Sequence, residues 1–175
     1  MMRISRRELM GLLPASLLGQ RTFTPRPAPE VRFTSTKGEQ IRLSQYKGKV
    51  VVVEFLLTTC PSCMEAAKLL SRLQTELGPK GFQAIGLAID AGAGTRISEF
   101  ARNHATTFPV GVYPDPDARK FIQVSLMTRM LMPQLSFVDR KGMIRDHRGA
   151  EDSAFFSNEE KNVRAIVNKL LAEKA

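Results

Sequence analysis

The chain has 175 residues, 43% hydrophobic and 25% charged, which is the composition of one globular domain plus a short extension and excludes a repeat array, a disordered tail protein and a disulfide scaffold. Lys and Arg number 26 against 17 Asp and Glu, a formal net charge of +9, but the basic residues beyond position 30 are scattered, with no interleaved aromatic-basic motif, so no nucleic-acid partner is expected. The only two cysteines stand three positions apart, Cys60-Pro61-Ser62-Cys63, too short a loop for a stabilising staple and better explained as a redox pair or half of a metal site.

In chain order, residues 1–20 read as an address. Ser5-Arg6-Arg7-Glu8 precedes the apolar stretch Leu9 to Leu18, which resembles a twin-arginine export signal. Gly11 and Pro14 interrupt that stretch, and no Ala-x-Ala site precedes Arg21, so cleavage and retention as a membrane anchor both stay open. About ten apolar residues fall short of the roughly twenty that span a bilayer. Residues 21–30, with Pro25, Pro27 and Pro29, read as an extended linker, and the domain is expected over 31–175.

Val31 to Thr34 and Ile41 to Leu43 alternate apolar with polar around Lys37-Gly38 and predict a hairpin. Val50 to Leu57 predicts a central strand buried on both faces, broken chemically only by Glu54. Ala66, Leu69, Leu70, Leu73 and Leu77 predict a helix stopped by Gly78; Phe82 to Ile89 a second buried strand; Ile97 to His104 and Asp117 to Val124 two helices. Leu135 to Val138 and Met143 to Asp146 flank the turn Asp139 to Gly142. Ser157 to Glu160 reads as a capping box opening a terminal helix with Val163, Ile166, Val167, Leu170 and Leu171 on its apolar stripe. The fold class is α/β, a central mixed β-sheet flanked by helices with an added N-terminal β-hairpin.

The chemistry follows from placement. Cys60 falls at a strand-to-helix junction, where unpaired N–H groups and the helix dipole favour an anion, here the attacking thiolate. Cys63, one turn into the helix, can resolve a mixed disulfide on Cys60. Pro61 suits the first helical turn. A zinc site would need two more ligands, and the only histidines, His104 and His147, are 43 positions apart and read as surface residues, so no metal and no cofactor is expected. Met127, Met130 and Met132 read as core or groove fillers rather than copper ligands. A carboxylate at Glu54 is costly to bury, so it either reaches solvent or titrates abnormally and has a role.

Leu43 to Phe55, Cys60-Pro61-Ser62-Cys63, and Met132-Pro133-Gln134-Leu135-Ser136-Phe137-Val138-Asp139 with Gly142 resemble, over residues 31–175, the thioredoxin superfamily and within it the exported TlpA-like thiol-disulfide oxidoreductases, related to the redoxins. The resemblance implies that Cys60 and Cys63 are catalytic and that Glu54 takes the proton from Cys63. It also implies that Pro133 is a cis-proline beside the pair and that Met132 offers its backbone to substrate, with Thr59, Pro61 and Ser62 on the substrate-facing rim. The lysine that thioredoxins carry on the next strand is Gly86 here, and Thr58-Thr59 stands where relatives have Trp. The implied activity is disulfide exchange with protein thiols, as reductant, fed by a thiol electron donor, in a periplasmic or envelope monomer. A redoxin-type thiol peroxidase and a copper carrier are the alternatives; the peroxidase pattern Pro-x-x-x-Thr-x-x-Cys fails at Val53 and Leu57.

Overall fold

Seven consecutive buried residues, six of them apolar, make the strand β4 (Val50–Leu56) an inner strand of the sheet, because only a strand covered on both faces can be buried throughout. The computed structural model describes residues 25–104 and 107–174; the export reading of residues 1–20 lies outside them. β4 runs parallel to β5 (Phe82–Ala88) and antiparallel to β7 (Gln134–Val138). Beyond β5 lies the parallel β6 (Val110–Val112), and beyond β7 the antiparallel β8 (Met143–Gly149) and then β1 (Arg26–Pro27). The six strands form one mixed sheet in the order β1-β8-β7-β4-β5-β6. The predicted hairpin is a separate two-stranded sheet, β2 (Arg32–Thr34) and β3 (Gln40–Arg42).

Helix α1 (Pro61–Leu77) starts from Cys60 as N-cap with Pro61 in its first turn, and buries Cys63, Ala66, Ala67, Leu70, Leu73 and Leu77. Each of its fully buried leucines contributes about 1.5–3 kcal/mol by leaving water. Helices α2 (Ala93–Asn103), α3 (Asp115–Ile122), α4 (Ser153–Phe156) and α5 (Glu159–Ala172) complete the layers.

Helix α1 ends at Leu77 with Gly78 as its C-cap, as expected; Gly78 is right-handed (φ −50°) and opens a 3-10 turn, and the left-handed reversal is made by Gly81 (φ 94°). Other expectations need correction. Arg26–Pro27, inside the stretch read as a linker, pair with Ile144 and Met143, and Ala28 donates to the Gly142 carbonyl at 2.9 Å; an edge strand tolerates proline, whose missing N–H can face outward. The capping box does not form, because the chain already turned helical at α4, whose N-cap is Asp152; Asn158 caps α5 without a side-chain hydrogen bond. β6 and α4 were not expected from the sequence, and α2 begins four residues earlier than its apolar spacing suggests.

Candidate functional site

The carboxyl end of β4 leads through Leu57 to Thr59 into the start of α1, which puts Cys60 where the helix's first N–H groups are free. Its Sγ accepts from the Cys63 N–H at 3.4 Å, so the helix start is capped by a sulfur. The same sulfur lies 3.8 Å from the Met132 carbonyl, to which the thiol donates. Cys60 is half-buried and Cys63 fully buried, and both are free thiols. Thr59, Pro61 and Ser62 are exposed around Cys60, while Met132 and Pro133 are buried. The Met132–Pro133 peptide is cis, as the resemblance implies.

Glu54 is 0% exposed, and neither of its carboxyl oxygens has a hydrogen-bond partner among the described residues. Burial first, then the negative charges of Glu159 and Cys60, hold its carboxyl protonated well above the usual range. The register sets Glu54 between Gly86 on β5 and Leu135 on β7, so neither neighbouring strand offers a cation at that level. Burial, followed by the Glu54 charge and the hydrogen bond with Cys60, pushes the Cys63 thiol far up. Cys63 therefore reacts only when a base takes its proton.

The structure adds partners that the sequence reading missed. Thr58 donates its N–H to Asp90 Oδ1 at 2.9 Å and its hydroxyl to Asp90 Oδ2 at 2.6 Å, and accepts from Arg96 Nε at 2.9 Å, which pins the loop into Cys60. On the other side, Gln134 Nε2 donates to the Leu131 carbonyl at 2.6 Å and to Glu151 at 3.0 Å. Its Oε1 accepts from His147 Nε2 at 2.7 Å, and His147 Nδ1 accepts from the Ser136 hydroxyl at 2.8 Å. His147 is thus no surface residue; burial lowers its pKa to about 4, and its neutral ring holds the segment entering Met132. His104 is part-exposed, its ring lying against Phe100 with centroids 4.9 Å apart. Asp90 directly after a buried strand was the available signal for the first network; the second joins residues whose spacing carries no local pattern. Met127, expected as a filler, is 93% exposed, whereas Met130 packs partly against the core. Among the described residues no three His, Cys, Asp or Glu gather as a metal site.

The Redoxin family profile matches residues 25–166. This chain belongs to the redoxin family. The redoxin is 27% identical over 120 residues to the thioredoxin-like protein YneN of Bacillus subtilis, covering 68% of this chain and 67% of that one. It is 28% identical over 85 residues to the thiol-disulfide oxidoreductase ResA of Bacillus thuringiensis, spanning about half the length of each (49% and 49%). Its fold matches a thiol:disulfide interchange protein of the thioredoxin family from Chlorobium tepidum (TM-score 0.69, 19% identity, 86% of this chain and 99% of that one). It also matches a thiol:disulfide interchange protein from a Bacteroides species (TM-score 0.63, 21% identity, 83% and 91%). The redoxin is a TlpA-like oxidoreductase of the thioredoxin superfamily.

Proposed function

We propose that this redoxin exchanges disulfides with protein thiols through Cys60 and Cys63, and that it works as a reductant outside the cytoplasm. The observation that carries the reading is the inequality of the two thiols: Cys60 is half-buried at a helix start, and Cys63 is sealed beneath it beside an unpaired acid. The Cys60 thiolate attacks a substrate disulfide and forms a mixed disulfide, releasing one substrate thiol. Met132, whose carbonyl faces Cys60, would align the substrate backbone, with Thr59, Pro61 and Ser62 around the attacked bond. Cys63, deprotonated by way of Glu54, then attacks the Cys60 sulfur, expels the second substrate thiolate and closes the Cys60–Cys63 bridge. Two electrons have passed to the substrate, and a thiol donor restores the pair.

The arginine pair before an apolar stretch in residues 1–20 supports export, and export brings the pair into a compartment where substrate disulfides form. No helix among the described residues is long and apolar enough to cross a membrane. A peroxidase reading is less well supported, because the Thr58 hydroxyl is already engaged by Asp90 and Arg96.

The test is trapping. Cys60→Ser abolishes exchange with a disulfide-bonded protein substrate, and Cys63→Ser accumulates a Cys60 mixed disulfide visible as a reducible mass increase. Undiminished multiple turnover by Cys63→Ser would contradict the two-cysteine mechanism.

A further inference from the structure

Two carboxyl groups, on different elements, carry buried oxygens with no hydrogen-bond partner among the described residues: Glu54, whose charge reaches Cys63, and Glu159, whose charge reaches Glu54. Glu54 on β4 has both oxygens unbonded and no exposure; Glu159, the first residue of α5, has Oε1 buried and unbonded while the residue as a whole is part-exposed. We propose that Glu159 is the outer member of a two-carboxyl relay, taking to solvent the proton that Glu54 accepts from Cys63. The proposal rests on the disulfide-exchange reading and deepens it.

The need for a second acid comes from Glu54 itself. A carboxyl that is fully enclosed and held protonated is no base until its own proton leaves, and with no exposed surface it cannot give that proton to bulk solvent directly. Burying unpaired acids is also unfavourable, so their retention beside a thiol that must ionise has a chemical rationale. Glu159 fits the outer role because it spans both environments, with one oxygen in the interior and part of its side chain at the surface. Burial raises its pKa to about 7, against the stabilisation a helix N-terminus gives an anion, so near neutral pH it both accepts and releases a proton readily. Its charge is felt at Glu54, where it is the second-largest cause of that group's upward shift.

On α1, Cys60 and Cys63 lie beside Glu54, and Glu65, whose charge reaches Glu159, is exposed and paired with Lys68 at 2.8 Å. His104 lies within electrostatic reach of Glu65 and Lys68. On α5, the neighbouring Glu160 is paired with Arg72 at 3.0 Å and Arg164 at 2.9 Å and is exposed. Gly86 and Leu135, the strand neighbours of Glu54, do not titrate.

The two carboxyls are unbonded at rest, so the side chains first swing into hydrogen-bond contact; Glu54 then passes its proton to the Glu159 carboxylate, and the Glu54 carboxylate takes the proton of Cys63. The Cys63 thiolate attacks the Cys60 sulfur of the mixed disulfide, the Cys60–Cys63 bond forms, and the bond from Cys60 to the substrate sulfur breaks. The substrate leaves as thiolate with the electron pair, reduced, while the cysteine pair is oxidised; the proton on Glu159 goes to water.

The experiment uses the full reduced chain and dithiobis(nitrobenzoate), whose coloured thiolate is released once on attack by Cys60 and again when Cys63 resolves the adduct. Stopped-flow records the second release from pH 5 to 9. In the wild type its rate climbs with a midpoint near 7, where Glu159 ionises. Glu159→Gln is expected to slow it about tenfold and remove that midpoint, a modest share of what a proton-transfer group supplies. Glu159→Asp restores the midpoint. Glu160→Gln removes the same charge from the same helix turn and leaves the second release unchanged, which separates relay from helix capping. A Glu159→Gln variant with the wild-type rate and midpoint overturns the relay; if Glu54→Gln is slow at the same time, disulfide exchange through Glu54 still stands. A wild type that never releases the second equivalent overturns the exchange reading and the relay with it.

Discussion

Glu54 is the residue at which folding and chemistry oppose each other. Its unpaired, enclosed carboxyl stays protonated in the folded protein at pH values where an unfolded glutamate, near 4.5, has ionised. Folding therefore binds a proton, and stability contributed at this position is whole below about 4.5 and falls as pH rises toward the folded pKa. Glu54→Gln removes that dependence: its melting temperature should match the wild type near pH 4 and exceed it at pH 7 to 8. The same change should slow the Cys63 step by about a hundredfold, the lower range for loss of a general base. A variant that is more stable and equally fast would make Glu54 a burden without a role. The acid itself stood out in the sequence as the one charge in an apolar run. Glu159 did not, because it reads as one of two acids at a helix start, and its buried, unbonded Oε1 appears only once α5 is packed.

At the level of elements, the β4–α1 junction carries the thiols, and two networks clamp it and the segment facing it. The hairpin β2–β3 docks elsewhere, through Gly111 of β6, where an added methyl would strike the Thr34 carbonyl and the Phe33 ring. Gly111→Ala should destabilise the fold by about 1–3 kcal/mol, as overpacking usually does, with Cys60 thiol reactivity retained. Urea unfolding with parallel thiol titration checks both. In the β7–β8 network, His147 is neutral down to about 4 while an unfolded histidine protonates near 6.5, so stability is whole above about 6.5 and declines toward 4, by roughly 3 kcal/mol at about 1.4 kcal/mol per unit. His147→Gln should flatten the pH 4.5 to 6.5 limb of stability by close to one proton. β4, β5 and α1 were legible because long apolar runs and helical spacing declare themselves. β6 was not, being three residues between Pro109 and Pro114, and β1 was masked by its prolines. His147 was misread because its partners, Ser136 and Gln134, meet it only through strand register.

Over the whole molecule, a mixed sheet brings the carboxyl end of β4 and the loop before β7 together, with Cys60 Sγ 3.8 Å from the Met132 carbonyl, so the proposed exchange would join residues far apart in the chain. The surface adds a positive field from a net charge of +9 and exposed Leu126, Met127 and Leu131 just before Met132. In the proposed exchange that apolar patch would face the protein substrate. The direct test of a reductant is the potential of the Cys60–Cys63 couple in the full chain, equilibrated in graded thiol buffers and read by the mass of alkylated cysteines. A potential near the thioredoxin level of about −270 mV is the expected result, and one near about −120 mV, at which the pair would give its disulfide away, would contradict it.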